Sequence, residues 1–220
     1  MDIEYFLKER TKFIRYFYET SSQPFVRTMA DIEAGVEPYT PSYSEDPEPP
    51  FLNEWIDAKS AMEISGLHAL SMLSSSLQLF LKAWVSRLED HHGMSFKPDF
   101  KSKGWFNGYR QIFKECDLEM EHCPADLAVI EQITLARNRA QHPDHLTSVN
   151  VYHSKRDLEK YPNPYFAQQI EKKMALEGSE TNWFFPPIIS PSKEKVFESI
   201  NNVESLCSWL ESEYRDARNA

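Results

Sequence analysis

Apolar residues recur at helical intervals along most of this chain. In the first segment Ile3, Phe6, Leu7, Phe13, Ile14 and Phe17 fall between Glu4, Lys8, Glu9, Arg10, Lys12 and Arg15, which predicts an amphipathic helix over residues 2–20. The pattern then stops. Residues 36–52 are acidic and carry Pro38, Pro41, Pro47, Pro49 and Pro50, so this stretch reads as loop. From Asn53, a plausible N-cap, a wide apolar face resumes with Trp55, Ile56, Met62, Leu67, Leu70, Leu73, Leu77, Phe80, Leu81, Trp84 and Leu88. It predicts a helix over 54–89 long enough to be the spine of a bundle, with Gly66 and the serines at 74–76 lowering propensity but not breaking the pattern.

Residues 90–103 read as loop, and Trp105, Tyr109, Ile112 and Phe113 then predict a shorter helix ending near Cys116. Pro124 suits the first position of the next helix. Its buried stripe runs through Leu127, Ile130, Ile133, Thr134 and Leu135 to His142, where Pro143 stops it. Between 147 and 163, Val149 and Val151 alternate like a short strand while Pro162 and Pro164 break anything longer. A helix over 165–176 ended by Gly178 follows, then an extended connection around Trp183, Phe184 and Phe185. A closing helix from Ser190 or Ser192 carries Val196, Phe197, Ile200, Val203, Leu206, Leu210 and Tyr214. The sum is a mainly all-α fold over 1–220 as a single domain, with residues 147–190 as an irregular insert before the C-terminal helix.

A chain of 220 residues with 41% hydrophobic content suits one sizeable core. A formal charge of −10 argues against holding duplex nucleic acid by broad phosphate neutralisation, so any nucleic-acid contact must be local. Cys116, Cys123 and Cys207 are odd in number and irregularly spaced, as reduced thiols of a cytosol would be. The N-terminus lacks a basic region followed by an apolar run, which argues against a signal peptide. The most apolar window, 64–85, is interrupted by Ser65, His68, Ser71, Gln78 and Lys82 and reads as a buried core helix, not a bilayer span. The expected location is cytoplasmic, with no membrane contact.

Several chemistries are excluded by motif. The chain has no Gly-x-Gly-x-x-Gly, no Walker Gly-Lys-Ser/Thr, no Gly-x-Ser-x-Gly and no His-Glu-x-x-His, and only six glycines. His91, His92, Cys116, His122 and Cys123 lack the paired spacing of a closed zinc site, so no metal or other cofactor is expected. Trp183, Phe184 and Phe185 lie among Pro and Ile without interleaved Lys or Arg, which favours packing over base stacking.

The remaining candidate is Arg137-Asn138-Arg139-Ala140-Gln141-His142. A guanidinium can grip a phosphate bidentately and offset charge on a pentavalent intermediate, and an imidazole can take a proton from a ribose 2′-hydroxyl or give one to a leaving 5′-oxygen. Arg137 and His142 are five positions apart, about 140° around an ideal helix, so they share a face only if the last turn loosens. The bare spacing recurs in Arg87 with His91 and His92, where apolar Leu88 follows the arginine and a solvated helix end is the simpler reading, and in Arg139 with His145.

The motif, its place at the end of a helix with a buried face, and the closing helix after it resemble the HEPN superfamily over residues 53–142 and 190–215. The resemblance implies a helical bundle and metal-independent RNA cleavage by a homodimer whose two motif copies form one composite site. By position, Arg137 would hold phosphate, Asn138 would orient a partner group or the substrate and His142 would transfer the proton, with Arg139 and His145 as flanking substrate-binding side chains. It also implies roles for many members as toxins or in antiviral defence, with an antitoxin or regulatory partner. Other members are non-catalytic modules that bind a protein or a nucleotide.

Overall fold

A computed structural model describes residues 2–43, 47–142, 148–176, 183 and 185–219. The architecture is mainly all-α. Helix α1 spans Ile3–Ala34, α2 Leu52–His92, α3 Phe100–Lys103, α4 Trp105–Glu115, α5 Leu127–Gln141, α6 Lys155–Lys160, α7 Gln169–Leu176 and α8 Lys193–Asn219, with a 3-10 turn at Met120–His122.

Helix α2 is the spine. Leu70, Leu73, Leu77, Leu81 and Trp84 are fully buried, and α1, α4, α5 and α8 all pack against this helix. Each such side chain removed from water contributes about 1.5–3 kcal/mol, which outweighs the weak propensity of the serine run. By length and composition, α2 contains an 18-residue window apolar enough to cross a membrane, with mean hydropathy 1.3, but 61% of that window is buried inside the fold. Its polar interruptions therefore do not bar a span by composition, as the sequence suggested; burial marks this helix as core.

Several boundaries differ from expectation, and the stretch read as loop over 90–103 is shortened by α2 running on to His92 and interrupted by α3. Helix α1 continues fourteen residues past Thr20, through Pro24, to a left-handed Gly35 whose N–H donates to Ile32 O at 3.1 Å. Pro24 forfeits one helical bond, yet packing of Ile14, Tyr18 and Ser22 against the bundle carries the helix onward. Helix α2 starts not from an Asn53 cap but from Phe51, at φ 60°, which makes no side-chain cap and instead sets its ring edge-on to Tyr39 at 5.4 Å. Helix α5 starts at Leu127, beyond Pro124, because the Asp126 carboxylate accepts from Ala128 N at 2.8 Å and Val129 N at 3.1 Å.

The insert also differs. The expected strand at Val149 and Val151 reduces to one antiparallel bridge, Tyr152 with Ile188, flanked by His153 N donating to Pro187 O and Ile189 N to Val151 O. Helix α6, absent from the sequence reading, is nucleated by a reciprocal cap between Ser154 and Asp157. Helix α7 begins at Gln169 instead of residue 165, and Gly178 and Phe184 lie outside the described residues.

Where α2 passes the chain entering α8, Gly66 permits close approach. A Cβ there would meet Pro191 O at 2.7 Å, with the proline ring carbons at 3.1 and 3.2 Å. Alanine gains about 1 kcal/mol of helix propensity over glycine. Forcing a backbone carbonyl aside costs about 1–3 kcal/mol, so the clash outweighs the gain. Gly66→Ala is expected to destabilise the fold, read as a lower urea midpoint at unchanged m-value; an equal or higher midpoint would show that the α2–α8 junction can relax.

Candidate functional site

The carboxyl-terminal half of α5 carries the motif. Residues Val129 to Thr134 are buried on every side, which anchors the helix, while 137–140 are half-buried as it emerges. Arg137 Nη1 donates to Asn138 Oδ1 at 3.0 Å. No other polar partner of Arg137 occurs among the described residues. His142 sits at the C-cap, where its backbone N–H reaches Asn138 O at 3.1 Å, and its exposed ring makes no hydrogen bond within the described residues. The structure thus joins Arg137 to Asn138 directly and sets the imidazole at the exposed helix end.

Arg139 lies elsewhere on the helix. Its Nε donates to Tyr152 O at 3.3 Å and so ties α5 to the insert, a structural contact that the sequence did not suggest. His145 lies outside the described residues. The second spacing match is structural: Arg87 pairs with Glu211 at 3.3 Å and stacks over Trp84, and the ring of His91 packs edge-on against His92 and Tyr214.

Beside the motif, a cleft of about 750 Å³ opens between α3, α4, α5 and α6. Asn138 lines it together with Thr134 and Leu135 one turn earlier on α5, whereas Arg137 and His142 are not among its lining residues. Its floor holds Glu131, which is 8% exposed. The carboxylate accepts from Lys160 Nζ, from Tyr161 Oη at 2.7 Å and from Asn107 Nδ2 at 2.9 Å. Burial alone would push its pKa up, but these three donors outweigh burial and hold it below the ordinary carboxylate value. The ionised carboxylate therefore welds α4, α5 and α6 into one wall. Glu131 pairs with Lys160 and not with Arg137, and Asp144, the other acid near the motif in sequence, lies outside the described residues.

No family model, curated protein or solved structure matches the chain.

Among the described residues no three His, Cys, Asp or Glu side chains are grouped to hold a metal ion. Burial pushes the thiols of Cys116, Cys123 and especially Cys207 up, away from the nucleophilic thiolate. The indole of Trp183 donates to Pro162 O at 3.1 Å, while Phe185 is exposed.

Sequence reasoning missed two groups. Glu131 stands out only in hindsight, as the one acid within a helical stretch buried on all sides. His153 is 6% exposed, its Nε2 has no hydrogen-bond partner, and burial lowers its pKa to about 4; no spacing around it signalled this.

Proposed function

We propose that the chain is a metal-independent endoribonuclease of HEPN type. The observation that carries this reading is the Arg137–Asn138 hydrogen bond at the end of α5, next to an open cleft, with the His142 imidazole one turn further on and without a hydrogen bond among the described residues. Asn138 steadies the guanidinium, which grips the scissile phosphate and offsets charge on the pentavalent intermediate. A neutral imidazole takes the 2′-hydroxyl proton, the 2′-oxygen attacks phosphorus, and the 5′-oxygen leaves with a proton from an imidazolium. The products are a 2′,3′-cyclic phosphate and a 5′-hydroxyl, and no metal enters any step.

Base and acid together need two imidazoles, which a homodimer with two copies of the motif supplies across a two-fold axis. Such a protein works in the cytoplasm, as a toxin or defence component, under the control of an antitoxin or regulatory protein.

A second reading, a catalytically silent HEPN-like module that binds a protein or a nucleotide, is favoured by one observation: of the three motif residues only Asn138 lines the cleft. The two readings separate on one experiment. The purified protein is incubated with a mixed RNA pool in EDTA, the product ends are analysed, and the mass in solution is measured by sedimentation. Cyclic-phosphate ends from a dimer support the nuclease; intact RNA in the presence of a folded dimer selects the module.

A further inference from the structure

The cleft beside the motif has its own chemistry. Along one side Phe100, 40% exposed, and half-buried Trp105 present aromatic surface, held edge-on or tilted against Tyr109 at 5.1 and 6.1 Å. Around the cleft stand Lys101, Arg156 and Lys160, against the carboxylates of Glu131 and Asp157. Both acids are already occupied. Glu131 is saturated by Lys160, Tyr161 and Asn107, and Asp157 accepts from Ser154 N in the cap of α6. Lys101 and Arg156 are exposed and have no polar partner among the described residues. On a chain with a formal charge of −10, this is a local reversal of sign.

Asn138 connects the cleft to the motif. It lines the cleft; its Oδ1 accepts from Arg137, while its carboxamide NH₂ has no hydrogen-bond acceptor among the described residues. A cavity of about 750 Å³ is the size of a small-ligand site, roughly 300–1,000 Å³, and too small for the extended surface that duplex RNA requires.

We propose that this cleft is a nucleotide subsite that seats one nucleotide of single-stranded RNA, its base against Phe100 and Trp105 and its phosphate towards Lys101 and Arg156. The Asn138 amide donates to an acceptor on that nucleotide. The subsite rests on the reading of the chain as RNA-directed, and it places the neighbouring phosphodiester at Arg137. Aromatic stacking is tolerant of sequence because every base has a π-face, so selection comes from acceptors within reach of Asn138. This reconciles an acidic protein with an anionic substrate: contact is confined to one cleft.

The test uses the full chain, with AMP, CMP, GMP, UMP and a short single-stranded oligoribonucleotide as probes. Saturable quenching of tryptophan fluorescence is expected, and it should be lost in Trp105→Phe while calorimetry still detects binding. Lys101→Ala combined with Arg156→Ala should weaken binding on the order of ten-fold. Leu135→Trp, which fills the cleft without altering charge, should abolish it, with circular dichroism checking the fold. Unchanged affinity in both the double variant and Leu135→Trp overturns the subsite, as does the absence of saturable binding by any probe. Binding that behaves as expected without RNA cleavage overturns the nuclease alone; cleavage with an unchanged KM in Leu135→Trp overturns the subsite alone.

Discussion

His142→Ala and Arg137→Ala are each expected to lower metal-independent RNA cleavage about 10²- to 10⁴-fold, the range associated with a general acid–base group or a positioned charge on a developing oxyanion. The two losses should not multiply. Residues that act on one phosphate behave as a unit, so the double variant should be little worse than the poorer single one. Stability should barely change for His142, whose exposed ring makes no hydrogen bond among the described residues. Asn138→Asp offers a sharper comparison. A carboxylate in its place would pair with Arg137, retaining the contact while cancelling the charge offered to phosphate, so cleavage should fall although the hydrogen bond survives. The measurement is the single-turnover rate on a defined oligoribonucleotide in EDTA, with melting temperature as control. Cleavage that persists in His142→Ala at the wild-type rate would remove this imidazole from the chemistry.

Much of the bundle was legible because its helices are long and one-sided. The apolar faces of α2 and α8 repeat over many turns, and Pro143 marked the end of α5 where the motif emerges. The failures have physical causes. The apolar spacing that marks α1 fades after Phe17, but tertiary packing of α1 on α2 carries the helix on to Ala34 and exceeds the cost of the one bond missing at Pro24. Helix α6, Lys-Arg-Asp-Leu-Glu-Lys, is too short and too charged to show a stripe, and it exists because of a cap and the ion pair of Lys160 with Glu131. The motif residues were legible as a pattern, yet the cleft was not. It forms from α3, α4, α5 and α6, and the contacts that close it join Asn107, Glu131 and Tyr161 across sequence separations that no local spacing reveals.

Acid should destabilise the fold well above the carboxylate range, and the source is His153. This residue is held between the 151–153 and 187–189 segments, where its N–H bonds to Pro187 O. Burial is the main reason its pKa lies at about 4, with Lys195, Lys172 and Arg139 nearby adding to the effect and Asp157 opposing it. Lys195 feels the same setting: burial first, then Lys172, against Glu171, lower its pKa to about 8. An unfolded imidazole titrates near 6.5, so the unfolded chain binds the proton more tightly than the folded one. Stability from this residue is therefore complete above pH 6.5, declines as the pH falls, and is exhausted near pH 4, a loss of about 3 kcal/mol. Glu131, with its lowered pKa, acts in the same direction but only below the ordinary carboxylate value, so the two windows separate. His153→Leu should flatten urea-midpoint stability between pH 6.5 and 4. At neutral pH the substitution should cost little, because Nε2 has no hydrogen bond to surrender and the backbone bond to Pro187 remains. A variant that keeps the wild-type slope would mean that acid acts on another group, and that the imidazole reaches water more easily than its 6% exposure implies.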